Sequence, residues 1–272
     1  MRTLVFQSYR PTGVPLAIER SLASVRRWAE ARGHDYRLID DRFFDVVPPW
    51  YRERVGDNKL VLANLARLVV ARDALAEGYD RAIWLDADVV VFDPEAFDVT
   101  TRDGFAFCRE TWVERQGYDL VAGFRVNNAV CAFDRGNRFL DYALWAHEAL
   151  VRDRPDRVYR FGTSTALLTA VHVASPLPLV HGVGVLTPAI VREIAEHGDG
   201  PASRVLASRH GHPIHAVNLT YSMVGVPHNA VVATAAHYDA AVERLLATSG
   251  AALALASAHP APVSSAQSRG TR

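Results

Sequence analysis

Tyr79-Asp80-Arg81-Ala82-Ile83-Trp84-Leu85-Asp86-Ala87-Asp88-Val89-Val90-Val91-Phe92-Asp93-Pro94 is the stretch from which the rest of the chain is read. Arg81 to Leu85 is a short apolar run with β-branched and aromatic members, the pattern of a strand covered on both faces. It stops at two carboxylates, Asp86 and Asp88, with one small residue between them. A second apolar run, Val89 to Phe92, follows at once, and Asp93-Pro94 turns the chain.

Outward from this stretch, strand and helix signals alternate. Thr3 to Phe6 reads as a buried strand ending in the polar Gln7-Ser8-Tyr9-Arg10-Pro11-Thr12-Gly13. Ile18, Leu22, Val25, Trp28 and Ala29 share one face of a helix that Gly33 stops. Tyr36 to Ile39 predicts a strand, and Phe43, Phe44, Trp50 and Tyr51 predict an irregular aromatic segment broken by Pro48-Pro49. Leu60 to Glu77 carries a helical stripe ended by Gly78. Downstream, Phe105 to Cys108 and Ala129 to Phe133 predict strands around a polar, aromatic loop with Trp112, Tyr118 and Phe124. Leu140 to Val151 predicts a helix for which Asp134 is a candidate cap. Beyond Pro155 the expectation is a short helix from Thr163 to His172, mostly irregular chain to His181, a short strand-like run at Pro213 to Val217, and a last helix around Val231 to Leu246.

This order predicts an α/β fold, a mainly parallel sheet with helices on both faces and an irregular C-terminal part. One domain over residues 1–248 and a disordered tail over 249–272, rich in Ala, Ser and Pro, complete the expected organisation. Ligands in such sheets bind at the carboxyl ends of the strands. Composition sets the outer bounds. The chain has 272 residues, 49% hydrophobic and 22% charged, so it can bury a sizeable core. Lys and Arg together number 30, as do Asp and Glu, without a basic run, which argues against a nucleic-acid or anionic-membrane binder. Cys108 and Cys131 are too few for a disulfide framework and suit buried strand thiols. No signal segment and no apolar run of about 18 residues is present, so the expected location is the cytoplasm.

Two carboxylates leaving an apolar strand cannot both ionise cheaply without a counter-charge. A divalent cation, Mg²⁺ or Mn²⁺, supplies one and leaves room for water and phosphate oxygens. A solvated turn after a strand explains the pair equally well. Arg67, on the helix before this strand, can add a planar fork of donors, or be a surface cation.

The segment Lys59-Leu60 to Ala66-Arg67-Leu68 to Tyr79 through Val89 resembles the core of the GT-A glycosyltransferases, most closely families 8, 32 and 34. Asn127-Asn128-Ala129-Val130 is similar to their downstream N-x-G/A element, and the resemblance covers about residues 1–150. It implies a Rossmann-like GT-A fold and metal-dependent transfer of a sugar from a nucleotide-diphosphate donor, a UDP-sugar favoured, to an acceptor, with retention of configuration and no evident nucleophile. It implies donor contacts from Gln7, Ser8, Tyr9, Lys59, Arg67, Asp86, Asn127 and Asn128, and a metal held by Asp86, Asp88 and a late His. His215, in Pro213-Ile214-His215-Ala216-Val217, is the best-placed candidate, with His181, His210 and His212 as competitors. The Lys-Pro-Trp or Ser-Trp continuation of family 8 is absent. Phe161 to Thr169 is similar to the G-P-x-x-L-T element of family 32 without its Pro, and Thr163 or Ser164 serves equally as a helix cap. Trp112 and Tyr118 suit either sugar stacking or the core.

Two other classes share these residues. A haloacid-dehalogenase-type phosphohydrolase also ends an apolar strand in D-x-D-x-T/V and would use Asp86 as nucleophile, and its paired acids would have to come from Asp40-Asp41, which lies upstream. A non-catalytic nucleotide-sugar binder would keep the same pocket.

Overall fold

The computed structural model describes residues 1–153 and 163–253. Its central sheet has six strands in the order β2 (Asp35–Ile39), β1 (Thr3–Ser8), β3 (Arg81–Leu85), β6 (Asp119–Asp134), β5 (Phe105–Gln116), β7 (Leu179–Val180). Three of the five neighbouring pairs are parallel, and β6 runs antiparallel to both its neighbours. A smaller sheet orders β4 (Val89–Val91), β9 (Ala216–Asn218) and β8 (Val183–Val185).

The apolar strands are near-continuous because both faces are covered. Leu4, Phe6, Ala82 and Trp84 pack on the side of α3 (Lys59–Ala76). Val5, Ile83 and Leu85 face the other way, onto Val25, Trp28 and Ala29 of α1 (Leu16–Ala31). Trp28 is 1% exposed and its indole donates to the Phe97 carbonyl at 3.0 Å, so its one polar atom is satisfied. Cys108 and Cys131 are buried thiols on β5 and β6.

Several expectations are corrected. The aromatic segment is ordered, as a 3₁₀ turn over Asp41–Val46 and then α2 (Pro49–Val55). Pro48 and Pro49 sit at the N-cap and first helical position, where a missing N–H costs nothing, so they start a helix rather than break one. The same device starts α6 (Pro188–His197) and α7 (Pro201–His210), two helices the sequence reading did not predict. The loop expected around Trp112, Tyr118 and Phe124 is a β5–β6 hairpin, paired from Cys108↔Asn127 to Gln116↔Asp119, with Gly117 at φ +62° opening the two-residue turn. Asp134 does not cap α4 (Arg138–Asp153); Asn137 does, through the Leu140 N–H, while Asp134 takes Arg81 at 2.6 Å. The last helix, α8 (Ala235–Ala247), starts later than its stripe, and Leu253, inside the expected tail, is 2% exposed against Leu206 and its neighbours. Residues 254–272 of that tail, with Pro155, Phe161 and Gly162, lie outside the described residues.

His210 locks α7 to the hairpin. Its Nε2–H donates to the His181 carbonyl at 2.5 Å and its Nδ1 accepts from the Thr111 hydroxyl at 3.1 Å, which fixes a neutral tautomer. Burial pushes its imidazole down to about 4, and that of His147 likewise. A depressed folded-state value means stability that is full above the ordinary 6.5 and lost as pH falls toward 4, about 3 kcal/mol for such a shift. Thermal melts between pH 7 and 4 are expected to drop steeply in the wild type. They should drop less in His210→Gln, whose amide still donates to His181 and does not titrate.

Candidate active site

The sequence order β2-β1-β3 reverses direction between β1 and β3, and the carboxyl ends of those two strands open on a cleft of about 710 Å³. Ser8, Tyr9 and Asp86 stand at its floor. Ala63, Asn64 and Arg67 of α3 form one wall, the hairpin residues Glu110, Trp112, Asn127 and Asn128 another, and Tyr221 and His228 close it from the C-terminal part. A smaller hollow of about 230 Å³ adjoins it, sharing Glu114 and His228, and contains neither aspartate.

Asp86-Ala87-Asp88 is a β-turn between β3 and β4, closed by the Val89 N–H on the Asp86 carbonyl at 3.0 Å. Asp86 lines the cleft and keeps 27% of its side chain exposed. Its Oδ1 meets Arg67 Nη1 at 3.1 Å and accepts from the Trp84 indole at 2.6 Å. Burial raises its carboxyl above the usual range, against the pull of Arg67 and Trp84. Asp88 accepts from the Asn218 amide at 3.2 Å and from the Tyr221 backbone N–H at 2.8 Å. Burial, and then the neighbouring Asp86, pushes it up to about 6. Thr220, between those two partners, is held in the left-handed region at φ +51° by bonds to Asn218 and Leu186. A β-branched residue is rarely found there, so the loop's path is dictated by its partners.

The other expected residues divide. Ser8, Tyr9, Arg67, Asn127 and Asn128 all line the cleft. Arg67 is 6% exposed, its guanidinium lying 4.9 Å from the Trp84 ring and donating to the Asn128 carbonyl at 2.7 Å. Asn128 in turn donates to Asn64 at 3.2 Å. Gln7 is fully buried, with its amide spent on the Asp86 carbonyl and the Tyr36 hydroxyl, so it braces the floor and meets no ligand. Lys59 is exposed at the start of α3 and is not brought to the cleft. Nor is His215. The β4–β9 register sets Val89 opposite Asn218 and Val91 opposite Ala216, so His215 falls at the far end of the pair, on the order of 10 Å along the strands from Asp88. There it bonds Asp93 at 2.9 Å. His181 and His212 stack on each other at 4.0 Å outside the cleft. Thr163 accepts from Asn64 instead of capping, and Ser164 makes no side-chain cap to α5 (Thr165–Ala174). Asn218, Glu110, His228, Asn64, Glu114 and Arg125 are among the cleft residues that the sequence reading missed; His228 stands edge-on to Trp112 at 5.4 Å.

No group of three or more His, Cys, Asp or Glu suited to a metal ion occurs among the described residues. The donor set is thus the aspartate pair, which suits a hard cation that keeps its water and takes phosphate oxygens. Charge favours that addition. The cleft is lined by Asp86, Asp88, Glu110 and Glu114 against Arg67 and Arg125, and an anionic diphosphate needs more positive charge than two guanidinium groups offer.

No family model and no curated protein matches the chain in sequence. By structure it is similar to a glycosyltransferase involved in glycosylation of the major capsid of PBCV-1, at TM-score 0.48 and 11% identity over 89% of this chain and 99% of that one. It is also similar to mouse xyloside xylosyltransferase 1 in its apo form, at TM-score 0.43 and 14% identity over 81% and 98% of the two chains. What the cleft does has to be read from its own residues. No helix among the described residues is long and apolar enough to cross a membrane.

The Arg67–Asp86 pair is enclosed, so removing one member strands the other. Arg67→Met is expected to cost about 3–5 kcal/mol, the usual penalty for breaking a buried pair. Adding Asp86→Asn should recover part of that loss, giving a favourable coupling in a double-mutant cycle read from urea midpoints. Strict additivity would mean that the two side chains do not act as a pair.

Proposed function

We propose that the chain is a glycosyltransferase that moves a sugar from a nucleotide-diphosphate donor, a UDP-sugar favoured, to an acceptor hydroxyl, with retention of configuration. The observation that carries the reading is the pairing of Asp86 and Asp88 on a turn at the floor of a cleft between β1 and β3, with a buried Arg67 beside them. Asp86 and Asp88 would hold Mn²⁺ or Mg²⁺, which when bound neutralises the diphosphate and eases its departure.

The chain's own groups do the rest. Arg67 pulls the Asp86 carboxyl toward its charged form, against burial, and aims it. Asn218 and the Tyr221 N–H orient Asp88. Tyr9 and Ser8, at the end of β1, offer a ring and a hydroxyl to the nucleoside, and Trp112 offers an apolar face to a sugar. A phosphohydrolase with Asp86 as nucleophile fits less well, because neither Asp40 nor Asp41, its candidate paired acids, lines the cleft.

The test is a thermal-shift panel of UDP-, GDP- and dTDP-sugars with and without Mn²⁺. A donor present at 100 times its Kd stabilises by about 2.7 kcal/mol, roughly 5–10 °C for a chain of this size. The rise is expected with the right donor and Mn²⁺ together and should vanish in Asp88→Asn. An Asp88→Asn protein that binds donor and Mn²⁺ as the wild type does would overturn the assignment.

A further inference from the structure

The cleft contains a carboxylate that the aspartate pair leaves without a task. Glu110 stands on β5 among the residues that line the cleft, and it is 4% exposed. Its Oε2 accepts from the Asn127 side-chain amide, whose own oxygen takes the Ala129 N–H at 2.8 Å. That second bond fixes the amide with its donor toward Glu110. The remaining oxygen, Oε1, has no hydrogen-bond donor among the described residues, and Arg125 Nη1 lies 3.8 Å away. The other acids of the cleft are less enclosed and have partners of their own, Asp86 in Arg67 and Trp84, Asp88 in Asn218 and Tyr221, and Glu114 in Gln116. Burial raises the Glu110 carboxyl in spite of Asn127 and Arg125.

We propose that Glu110 is the nucleophile of sugar transfer, an inference that rests on the glycosyl-transfer reading above. Retention follows from two successive inversions at the anomeric carbon, and a carboxylate separate from the groups that hold the diphosphate supplies the first. In the first step Glu110 Oε1 bonds the anomeric carbon while the bond from that carbon to the phosphate oxygen breaks, its electron pair leaving on the diphosphate. In the second the acceptor oxygen bonds the same carbon, the bond to Oε1 breaks, and its pair returns to the carboxylate. The acceptor's proton passes to the released diphosphate. Asn127 is a positioning residue that aims Glu110 through Oε2.

The test uses the full chain with Mn²⁺ and UDP-glucose, UDP-galactose, UDP-xylose and UDP-N-acetylglucosamine, with donor affinity measured apart from UDP release. Glu110→Gln is expected to melt and bind donor as the wild type does, while UDP release falls by at least about a hundredfold. Wild-type protein given donor alone should gain the mass of one sugar, mapped to the peptide that carries Glu110. Glu110→Ala with azide should form a sugar azide of configuration opposite to the donor. Bound donor with wild-type release in Glu110→Gln, or an adduct on another residue, overturns the proposal and leaves the transferase reading standing. Wild-type protein that binds neither these donors nor any GDP- or dTDP-sugar of the wider panel overturns that reading, and the nucleophile with it.

Discussion

Two carboxylates on a turn beside a sheet of buried apolar strands are costly to ionise, and the surroundings of Asp86 and Asp88 are arranged around that cost. Asp86 is answered by α3, which carries Arg67 down to within 3.1 Å, and by its own strand, which turns the Trp84 indole back onto it. Asp88 is answered from the other end of the chain by Asn218 and the Tyr221 N–H. Neither set is complete, since both carboxyls remain raised by burial. The residual cost is what makes the turn a place for an added cation rather than a satisfied corner of the core.

The apolar alternation of β1 and β3 makes this arrangement rigid. Because Leu4 and Phe6 pack toward α3 while Val5 packs toward α1, neither strand can slip by one residue without turning its core face outward. The ends of both strands are therefore fixed in depth. Gln7 completes the floor by tying the Asp86 carbonyl to Tyr36 on the far side of β1. A residue that reads from sequence as a ligand contact is in fact a strut under the turn.

What the sequence disclosed was local. The strand ending in Asp86-Ala87-Asp88, the helix bearing Arg67, and the run to Gln7 each show as an apolar period or its abrupt end, within one element. What it concealed was pairing. The hairpin strands read as a polar loop because Glu110, Trp112 and Glu114 alternate toward a cleft and not a core, so the period of two is written in residues of mixed polarity. The partner of Asp88 depends on the β4–β9 register, which places Asn218 rather than His215 beside the turn. No feature of Pro213 to Thr220 taken alone fixes that register. The helices begun by Pro49, Pro188 and Pro201 were obscured for a different reason, since proline marks a break and a first turn with the same letter.

The bonds from Asn218 and Tyr221 to Asp88 also bear on how far the chain can be divided. The first 153 residues contain the aspartates, Arg67 and the hairpin. They do not stand apart from the rest. Cut from the remainder, β4 would lose β9, its one strand neighbour among the described residues, and show a three-residue apolar edge with open backbone groups, the kind of surface that recruits foreign strands. Val90 and Phe92 would lose the cover of the C-terminal helices at the same time. The later part of the chain is thus not an appendage to a catalytic module. It covers β4 and supplies the partners of Asp88, so the turn between β3 and β4 is where the early and late parts of the chain meet.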